Sequence, residues 1–312
     1  MDIAATSYPI PANTALSFLS KSSNMSEQPS KKRKVDDASN GFNAATVIDN
    51  EADLTKNNVP ILPRDCKHLL LDIEGCTTAI SFVHDVLFPF AKNNVEQYLK
   101  DVDENGCTAI ADALADDVTK LDDSHPSRKE LDGKNLKDMS TEEKIVARVH
   151  ALMSHDVKAT GLKGLQGKIW KAGYASGELK GHIYDDFKPM LDWCKDQGVA
   201  VSIYSSGSIG AQKLLFGHST AGDLCSYFTS HFDTSSGGKK EAQSYKNIAK
   251  DMDLDTKDIC FVSDAEAELV AAKEAGIGYP VMSVRVGNKP LTDVGRGFPI
   301  IYSLLQICGS GN

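Results

Sequence analysis

The chain has 312 residues, of which 41% are hydrophobic and 25% are charged, a composition typical of a globular protein. Acidic side chains outnumber basic ones by 43 to 34, and the net charge of −9 argues against a nucleic-acid partner, which would require excess Lys and Arg. No run approaches the roughly 18 uninterrupted apolar residues of a transmembrane helix, so we expect no membrane partner. The seven cysteines form no CxxC pair, which argues against a zinc or dithiol site and favours a reduced, intracellular protein.

Residues 1–60 differ from the rest of the chain, because Ser, Asn, Ala and Pro dominate and large apolar residues are scarce. Such a segment cannot bury enough apolar surface to offset its ordering entropy, so we predict a disordered leader. Within it, Lys31, Lys32, Arg33 and Lys34 form a basic run that resembles a nuclear-import signal. The run predicts binding to an import receptor and a location in both cytoplasm and nucleus; the alternative is that it has no function.

The body of the chain begins near Asp65, and three apolar runs in it are predicted to be strands, at 68–75, 199–208 and 259–264. Their hydrophobicity is continuous rather than alternating, which indicates strands covered on both faces, as in a parallel sheet. Helical patterns follow the second and third runs, and a further apolar run lies at 281–286. This alternation predicts an α/β fold with a doubly wound parallel sheet.

An insertion separates the first strand from the second, because the interval is several times longer than the roughly 30 residues of one strand–helix–strand unit. Its pattern is mostly helical, with a capping box that begins at Ser140, whereas the polar stretch 122–138 is predicted to be a loop. We therefore divide the body into an α/β core at 61–84 and 191–312 and an inserted helical cap at 85–190.

Acidic side chains follow two of the predicted strands. Asp72 and Glu74 lie two residues apart at the end of the first strand, and Asp264 ends the third. In open parallel sheets, ligands bind beyond the carboxyl ends of the strands. Because Mg²⁺ prefers carboxylates together with water and phosphate oxygens, these three side chains predict a site for one Mg²⁺ ion.

Hydroxyl groups and a lysine extend this pattern. Ser205 and Ser206, followed by Gly207, end the second strand, where hydroxyl and backbone N–H groups can hold an anion. Lys239 follows two glycines and can place a cation against phosphate. Each motif alone is also typical of a turn or a surface residue, and Asp264 alone could cap the next helix. Their combined order predicts phosphoryl transfer through a carboxylate nucleophile.

That order resembles the haloacid dehalogenase superfamily of aspartate-nucleophile phosphotransferases. Within the superfamily, the chain resembles the enolase-phosphatase (acireductone synthase) family of methionine salvage over about residues 66–305. The segments that carry the resemblance are DIEGCTTAISFVHDVLFP (72–89), LQGKIWKAGYASGELKGHIYDD (165–186), IYSSGSIGAQKLLFGHSTAGDL (203–224) and HFDTSSGGKKEAQSYKNIA (231–249). Glu74 is diagnostic of this family, because most phosphatases of the superfamily carry Asp at that position.

The resemblance implies a haloacid dehalogenase-like core under a helical cap, and a role for each candidate residue. Asp72, Glu74 and Asp264 are expected to bind Mg²⁺, with Asp72 also the nucleophile and Glu74 the acid/base group. Glu268 matches the second acid of the last motif and is expected to support the metal ligands. The residues expected to bind substrate are Ser205, Ser206 and Lys239.

The implied substrate is 2,3-diketo-5-methylthiopentyl-1-phosphate, which enzymes of the family first enolise and then hydrolyse to acireductone and phosphate. The family also implies a monomer and a cap that closes over the substrate and excludes water. Trp170 and Tyr174, four residues apart on a predicted helix, either face the methylthioalkyl chain or pack the cap onto the core.

Two residues depart from the family pattern. Cys76 stands where the family carries Thr, and a thiol forms weaker hydrogen bonds than a hydroxyl. Ala79 stands where Pro is common, which predicts a slightly looser loop. Neither change removes the nucleophile or a metal ligand, so we expect a reduced rate at most.

Three other functions stay open on the residues alone. A generic phosphatase of the same superfamily would share Asp72 and Asp264 but would prefer Asp to Glu74. A dehalogenase works without metal and does not need the acidic cluster. A nuclear regulatory protein would use the basic leader and only reuse the enzyme fold.

Overall fold

The computed structural model of the protein describes residues 66–308, so the predicted leader and its basic run at 31–34 lie outside the described residues. Within this range, six parallel strands form one sheet in the order β3-β2-β1-β4-β5-β6. Their bounds are β1 (His68–Leu71), β2 (Ala200–Tyr204), β3 (Phe228–Phe232), β4 (Ile259–Ser263), β5 (Tyr279–Ser283) and β6 (Ile300–Ile301). The chain leaves β1 on one side for β2 and β3, and returns on the other for β4, β5 and β6. The predicted doubly wound parallel sheet is therefore confirmed.

Both faces of the sheet are covered, which explains the continuous hydrophobicity of its central strands. In β1, Leu69 and Leu71 enter one buried cluster while Leu70 enters the other. The first cluster contains residues of α6 (Phe187–Gln197) and α7 (Ile209–Gly217). The second contains residues of α8 (Ala242–Asp251) and α9 (Glu266–Glu274).

A helical layer lies between β1 and α6 in the chain. Its helices are α1 (Phe88–Leu99), α2 (Glu104–Thr119), α3 (Pro126–Asp132), α4 (Thr141–Ser154) and α5 (Thr160–Ser176). These helices bury a core of their own, which includes Leu114, Ile145, Leu152 and Leu165. A six-residue π-helix, Phe82–Leu87, leads from the loop after β1 into α1. The boundaries predicted for core and cap stay predictions.

The predicted capping box at Ser140 is confirmed, because the Ser140 hydroxyl accepts from the Glu143 N–H and the Glu143 carboxylate accepts from the Ser140 N–H. The predicted loop at 122–138 is wrong, since α3 and a 3₁₀ turn lie inside it. In α3, Leu131 is the buried apolar residue that packs against α4. One such residue is too few to produce a detectable helical period.

No helix within residues 66–308 is long and apolar enough to span a membrane.

Helix α5 begins on a cap supplied by another helix. Its own N-cap residue, Ala159, has no side chain that accepts a hydrogen bond. The buried carboxylate of Asp117 in α2 accepts instead from the N–H groups of Gly161 (3.1 Å) and Leu162 (2.8 Å). A Cβ atom on Gly161 would lie 2.8 Å from the Ala113 carbonyl oxygen, so the two helices meet at the backbone. This contact fixes the start of α5 on α2.

We expect Gly161→Ala to lower the free energy of unfolding by about 1–3 kcal/mol, because the added methyl group must push α5 away from α2. Gly164→Ala is the matched control, since a Cβ there meets nothing within 4 Å. It should raise the free energy of unfolding by about 0.4–1 kcal/mol through a less flexible unfolded chain. Urea denaturation followed by circular dichroism measures both, and equal effects of the two substitutions would contradict the close contact.

Candidate active site

Lys239 lies at the centre of the charged groups beneath the sheet's carboxyl edge. Its ammonium nitrogen is 2.6 Å from Asp72 Oδ1 and 2.7 Å from Glu268 Oε2. The side chain of Lys239 is only 6% exposed, so these ion pairs are shielded from water. Lys239, which follows β3, thereby joins Asp72, which follows β1, to Glu268 in α9. The structure thus brings the predicted nucleophile and the predicted phosphate-binding lysine into direct contact.

The backbone before Lys239 is held from both sides. Tyr204 at the end of β2 donates its hydroxyl to the Gly237 carbonyl (3.0 Å). Ser244 and Tyr245 in α8 donate to the carbonyls of Gly238 (2.8 Å) and Lys239 (2.6 Å). Gly237 has φ +122, and a Cβ there would collide with the Ser244 hydroxyl. The two glycines therefore let the backbone run against α8 and direct Lys239 inward.

Ser263 joins the network, although the sequence pattern did not identify it. This fully buried residue has its hydroxyl oxygen 2.8 Å from Glu268 Oε2 and 3.2 Å from Asp72 Oδ2. A hydroxyl has one proton, so it donates to one of these carboxylates at a time. The signal that could have identified Ser263 is its place at the end of a buried strand, directly before Asp264.

Burial and mutual repulsion shift the titration of these groups. Burial raises the pKa of Asp264 to about 7, and the negative charge of Asp72 adds to the effect. Burial and the charge of Asp72 also raise the pKa of Glu268 and of Glu74. Burial alone would lower the pKa of Lys239, but the charges of Asp72 and Glu268 outweigh it and raise that pKa. The carboxylates therefore repel one another, and a bound cation would relieve that repulsion.

The donor set fits a hard divalent cation. The oxygens of Asp264 (Oδ2) and Asn288 (Oδ1) lie 2.5 and 2.8 Å from the point that a Cβ on Gly75 would occupy. Asn288 Oδ1 is buried and, among the described residues, finds no hydrogen-bond partner. Within residues 66–308, no three His, Cys, Asp or Glu side chains are placed to ligate an ion by themselves. Mg²⁺ does not depend on side chains alone, because it completes its shell with water and phosphate oxygens.

The alternative role of Asp264 as a helix cap has no support in the structure. Helix α9 begins after Ala265, and no side chain caps it. The Asp264 carboxylate instead shares its surroundings with Asp72 and Glu74, whose charges both raise its pKa.

A cavity of about 240 Å³ lies above these groups, between the carboxyl edge of the sheet and the helical layer. Glu74, Ser205 and Ser206 line it, so the structure brings three of the predicted site residues to one space. Asp72 lies next to Ile73, which also lines the cavity. Most of the remaining wall is apolar and comes from the π-helix, α5 and α7, with Val83, Leu87, Leu162, Trp170, Leu214 and Leu215.

Trp170 and Tyr174 both line this cavity. Trp170 also donates its indole N–H to the Leu87 carbonyl (2.8 Å) and stacks on Phe88. Trp170 also packs against the buried cluster that contains residues of β1, α6 and α7, so it packs the helical layer onto the core as well as lining the cavity. Contact with a methylthioalkyl chain stays a prediction.

The predicted anion cradle at the end of β2 is only partly available. The Gly207 N–H donates to the Ser205 hydroxyl oxygen (3.1 Å), so this N–H is already occupied. Helix α7 begins at Ile209, as the sequence predicts, with Ser208 as its N-cap. Ser205 is buried and Ser206 is exposed to the cavity.

The loop that carries the two departures from the family pattern is tied down. The Cys76 thiol donates weakly to the Val262 carbonyl (3.7 Å), which also accepts the Asp72 N–H. The Ala79 N–H donates to His182 Nδ1 (3.2 Å), a bond that proline could not form. This bond holds the loop and so compensates for the absence of a proline.

Residues 66–276 match a family profile described as a haloacid dehalogenase-like hydrolase. The match agrees with the fold, in which an aspartate follows the central strand of a parallel sheet beneath a helical layer. The class of protein is therefore a haloacid dehalogenase-like hydrolase.

Proteins named enolase-phosphatase E1 are similar to this chain over most of their length. The protein of Drosophila melanogaster is 44% identical over 245 residues, with 76% of this chain and 91% of the relative covered. The protein of Marinobacter nauticus is 42% identical over 240 residues, with 76% and 97% covered. The crystal structure of the UTR4 protein of Saccharomyces cerevisiae has 34% identity and a TM-score of 0.59, with 76% and 97% covered. The chain belongs to the enolase-phosphatase E1 family.

Gly75 offers a test of how tightly the site is built. Gly75→Ala adds a methyl group beside Asp264 Oδ2 at a residue with φ +68, whereas Gly198→Ala adds one at φ +70 with nothing within 4 Å. Both should lose about 1–2 kcal/mol of unfolding free energy from the left-handed backbone. Gly75→Ala alone should also slow phosphate release by about 100-fold, because it displaces Asp264. Phosphate assays and urea denaturation measure the two effects, and normal turnover by Gly75→Ala would contradict this geometry.

Proposed function

We propose that this protein enolises 2,3-diketo-5-methylthiopentyl-1-phosphate and then hydrolyses its phosphate ester, giving 1,2-dihydroxy-3-keto-5-methylthiopentene (acireductone) and phosphate in methionine salvage. The observation that carries the proposal is the position of Glu74. Its side chain lines the cavity and lies close enough to Asp72 and Lys239 for their charges to act on it, so an acid/base group and a nucleophile can serve the same substrate. Membership of the enolase-phosphatase E1 family supports the same reaction.

Enolisation requires a base beside the carbon that bears the phosphate. The Glu74 carboxylate takes a proton from that carbon, and the C–H electron pair forms the new carbon–carbon double bond. The electrons of the neighbouring carbonyl move to its oxygen, which is then protonated to the enol. Glu74 is exposed to the cavity, so its carboxylate can reach a substrate held there.

Hydrolysis proceeds in two displacements at phosphorus. The Asp72 carboxylate attacks the phosphorus atom and displaces the ester oxygen of the substrate, which takes a proton from Glu74. The resulting aspartyl-phosphate is then attacked by water, with Glu74 as the base, and phosphate leaves Asp72. Lys239 lies beside Asp72 throughout and balances the charge that accumulates on the phosphoryl oxygens.

We propose Mg²⁺ as the cofactor, one ion per subunit, held by Asp72, Glu74 and Asp264. When bound, the ion would neutralise phosphoryl charge and polarise the substrate oxygens. Support comes from the pKa of Asp264, which burial and then the charge of Asp72 raise to about 7, and from the oxygen-only donor set.

The cavity walls favour an amphipathic substrate. We propose that the phosphate lies at the charged floor, near Ser205, Ser206 and Lys239, and that the methylthioalkyl tail extends along the apolar wall. Trp170 and Tyr174 supply part of that wall. Burying an apolar chain there would exclude water from the enolate while it forms.

The remaining proposals concern location and association. We propose a monomer, and a protein present in cytoplasm and nucleus that reaches the nucleus by binding an import receptor. Support for import is the basic run of Lys31, Lys32, Arg33 and Lys34.

Purified protein with Mg²⁺ should release phosphate from the diketo-phosphate while the enediol absorbance of the acireductone rises in the same cuvette. EDTA should abolish both signals. Asp72→Asn should lower phosphate release by about 10⁴-fold or more, because an amide cannot serve as the nucleophile. Asp196→Asn, on an exposed residue at the end of α6, is the matched control and should keep its rate within about twofold.

Two outcomes would reject this function. Cleavage of simple phosphate esters without any enediol product would indicate a generic phosphatase and remove the role assigned to Glu74. Phosphate release that survives Asp72→Asn would exclude Asp72 as the nucleophile.

A further inference from the structure

The cavity has a second charged side, opposite the sheet. Three charged residues from the helical layer line it: Asp156, Lys158 and Lys163. They lie where α4 ends and α5 begins, and they line the same cavity as Glu74 and the serines that follow β2. None of them belongs to the charged network around Asp72, and no step of the reaction described above uses them.

Lys158 is the cap lysine whose charge acts on Glu74. Its positive charge is among those that oppose the rise in the pKa of Glu74. Lys163 acts on another group, since its charge contributes to the lowered pKa of Asp233, beside the start of α7. The charges of the two lysines therefore act on different groups.

The backbone on both sides of Lys158 is fixed. Asp156 has φ +50, in the left-handed region that residues other than glycine rarely adopt. The Val157 N–H donates to the Leu152 carbonyl (3.0 Å), which closes the end of α4. On the other side, Asp117 holds the N–H groups of Gly161 and Leu162. Only a short segment separates these anchors, so the Lys158 backbone has a defined position at the cavity.

The ammonium group of Lys158 is nevertheless available to a ligand. Its ion pair with Asp156 is long, at 3.9 Å, and the two side chains are 71% and 73% exposed. Exposed pairs of this kind contribute little energy and are readily exchanged. Lys239, by contrast, is buried and fully engaged with Asp72 and Glu268.

Enolisation places negative charge on the oxygen of the carbonyl group next to the carbon that loses its proton. A nearby cation that donates a hydrogen bond stabilises such an oxyanion. Lys239 is already engaged with two carboxylates, whereas the Lys158 ammonium is exposed and lines the cavity that Glu74 also lines.

We propose that Lys158 is a catalytic residue of the enolisation step, whose ammonium group binds the substrate carbonyl oxygen and stabilises its negative charge while Glu74 removes the proton. The inference rests on the proposed function, since it assigns the oxyanion-binding group of that reaction. It also makes the enolisation site composite, with the base from the sheet edge and the oxyanion donor from the helical layer. The hydrolysis step does not involve Lys158.

The test compares two substrates in Lys158→Met, which keeps the length of the side chain but removes its charge. Phosphate release from the diketo-phosphate should fall by about 100-fold, as it does when one oxyanion donor is removed. Deuterium at the carbon that bears the phosphate should then produce a primary isotope effect on phosphate release, because proton removal has become rate-limiting. Hydrolysis of 5-methylthiopentyl phosphate, which has no carbonyl group, should stay within about twofold of the wild type.

Two further variants complete the design. Lys158→Arg keeps the charge and should recover at least part of the enolisation rate. Lys168→Met removes an exposed charge from α5, the helix that follows Lys158, at a residue that does not line the cavity, and should leave both reactions unchanged.

Each other outcome would overturn the proposal. Unchanged turnover of the diketo-phosphate by Lys158→Met would show that no oxyanion depends on this ammonium group. Equal losses on both substrates would assign Lys158 to phosphate binding instead. The wild-type reaction separates these results from a failure of the proposed function, because absence of the enediol product in the wild type would overturn both.

Discussion

The site depends on one buried interaction, the contact of the Lys239 ammonium with the carboxylates of Asp72 and Glu268. Removal of the ammonium would leave two negative charges close together in a region shielded from water, at a cost of several kcal/mol. The contact therefore holds the ends of three separate chain segments at one place. Ser263 lies between the two carboxylates and fixes their orientation further.

Two layers of the fold contribute different properties to the active site. The carboxyl edge of the sheet supplies charged groups in fixed positions, because Asp72 and Asp264 each follow a strand that is hydrogen-bonded on both sides. The helical layer supplies an apolar wall and a few charged side chains that line the cavity. Within the helical layer, Asp117 of α2 holds the start of α5. Trp170 of α5 joins the layer to the π-helix. The arrangement suits a substrate with a phosphate at one end and an apolar chain at the other.

Buried elements were predictable, and exposed or short ones were not. The runs that form β1, β2 and β4 are continuous apolar segments because they lie in the middle of a sheet covered on both faces. Strand β3 escaped prediction because it is an edge strand with the sequence FTSHF, mostly half-buried. Strand β6 has two residues, too few to show a pattern, and α3 buries little apolar surface.

The sequence by itself determined which residues are candidates for the site, because residue types at strand ends and their order along the chain predict a carboxylate nucleophile, a metal and a lysine, and the family resemblance implies an acid/base role for Glu74. Tertiary structure alone decided how these groups share their contacts. It paired Lys239 with Glu268 as well as Asp72, occupied the Gly207 N–H within its own turn, and placed Lys158 at the cavity. Such contacts join segments that are distant in the chain, and their distances follow from how the helices pack on the sheet rather than from any local pattern.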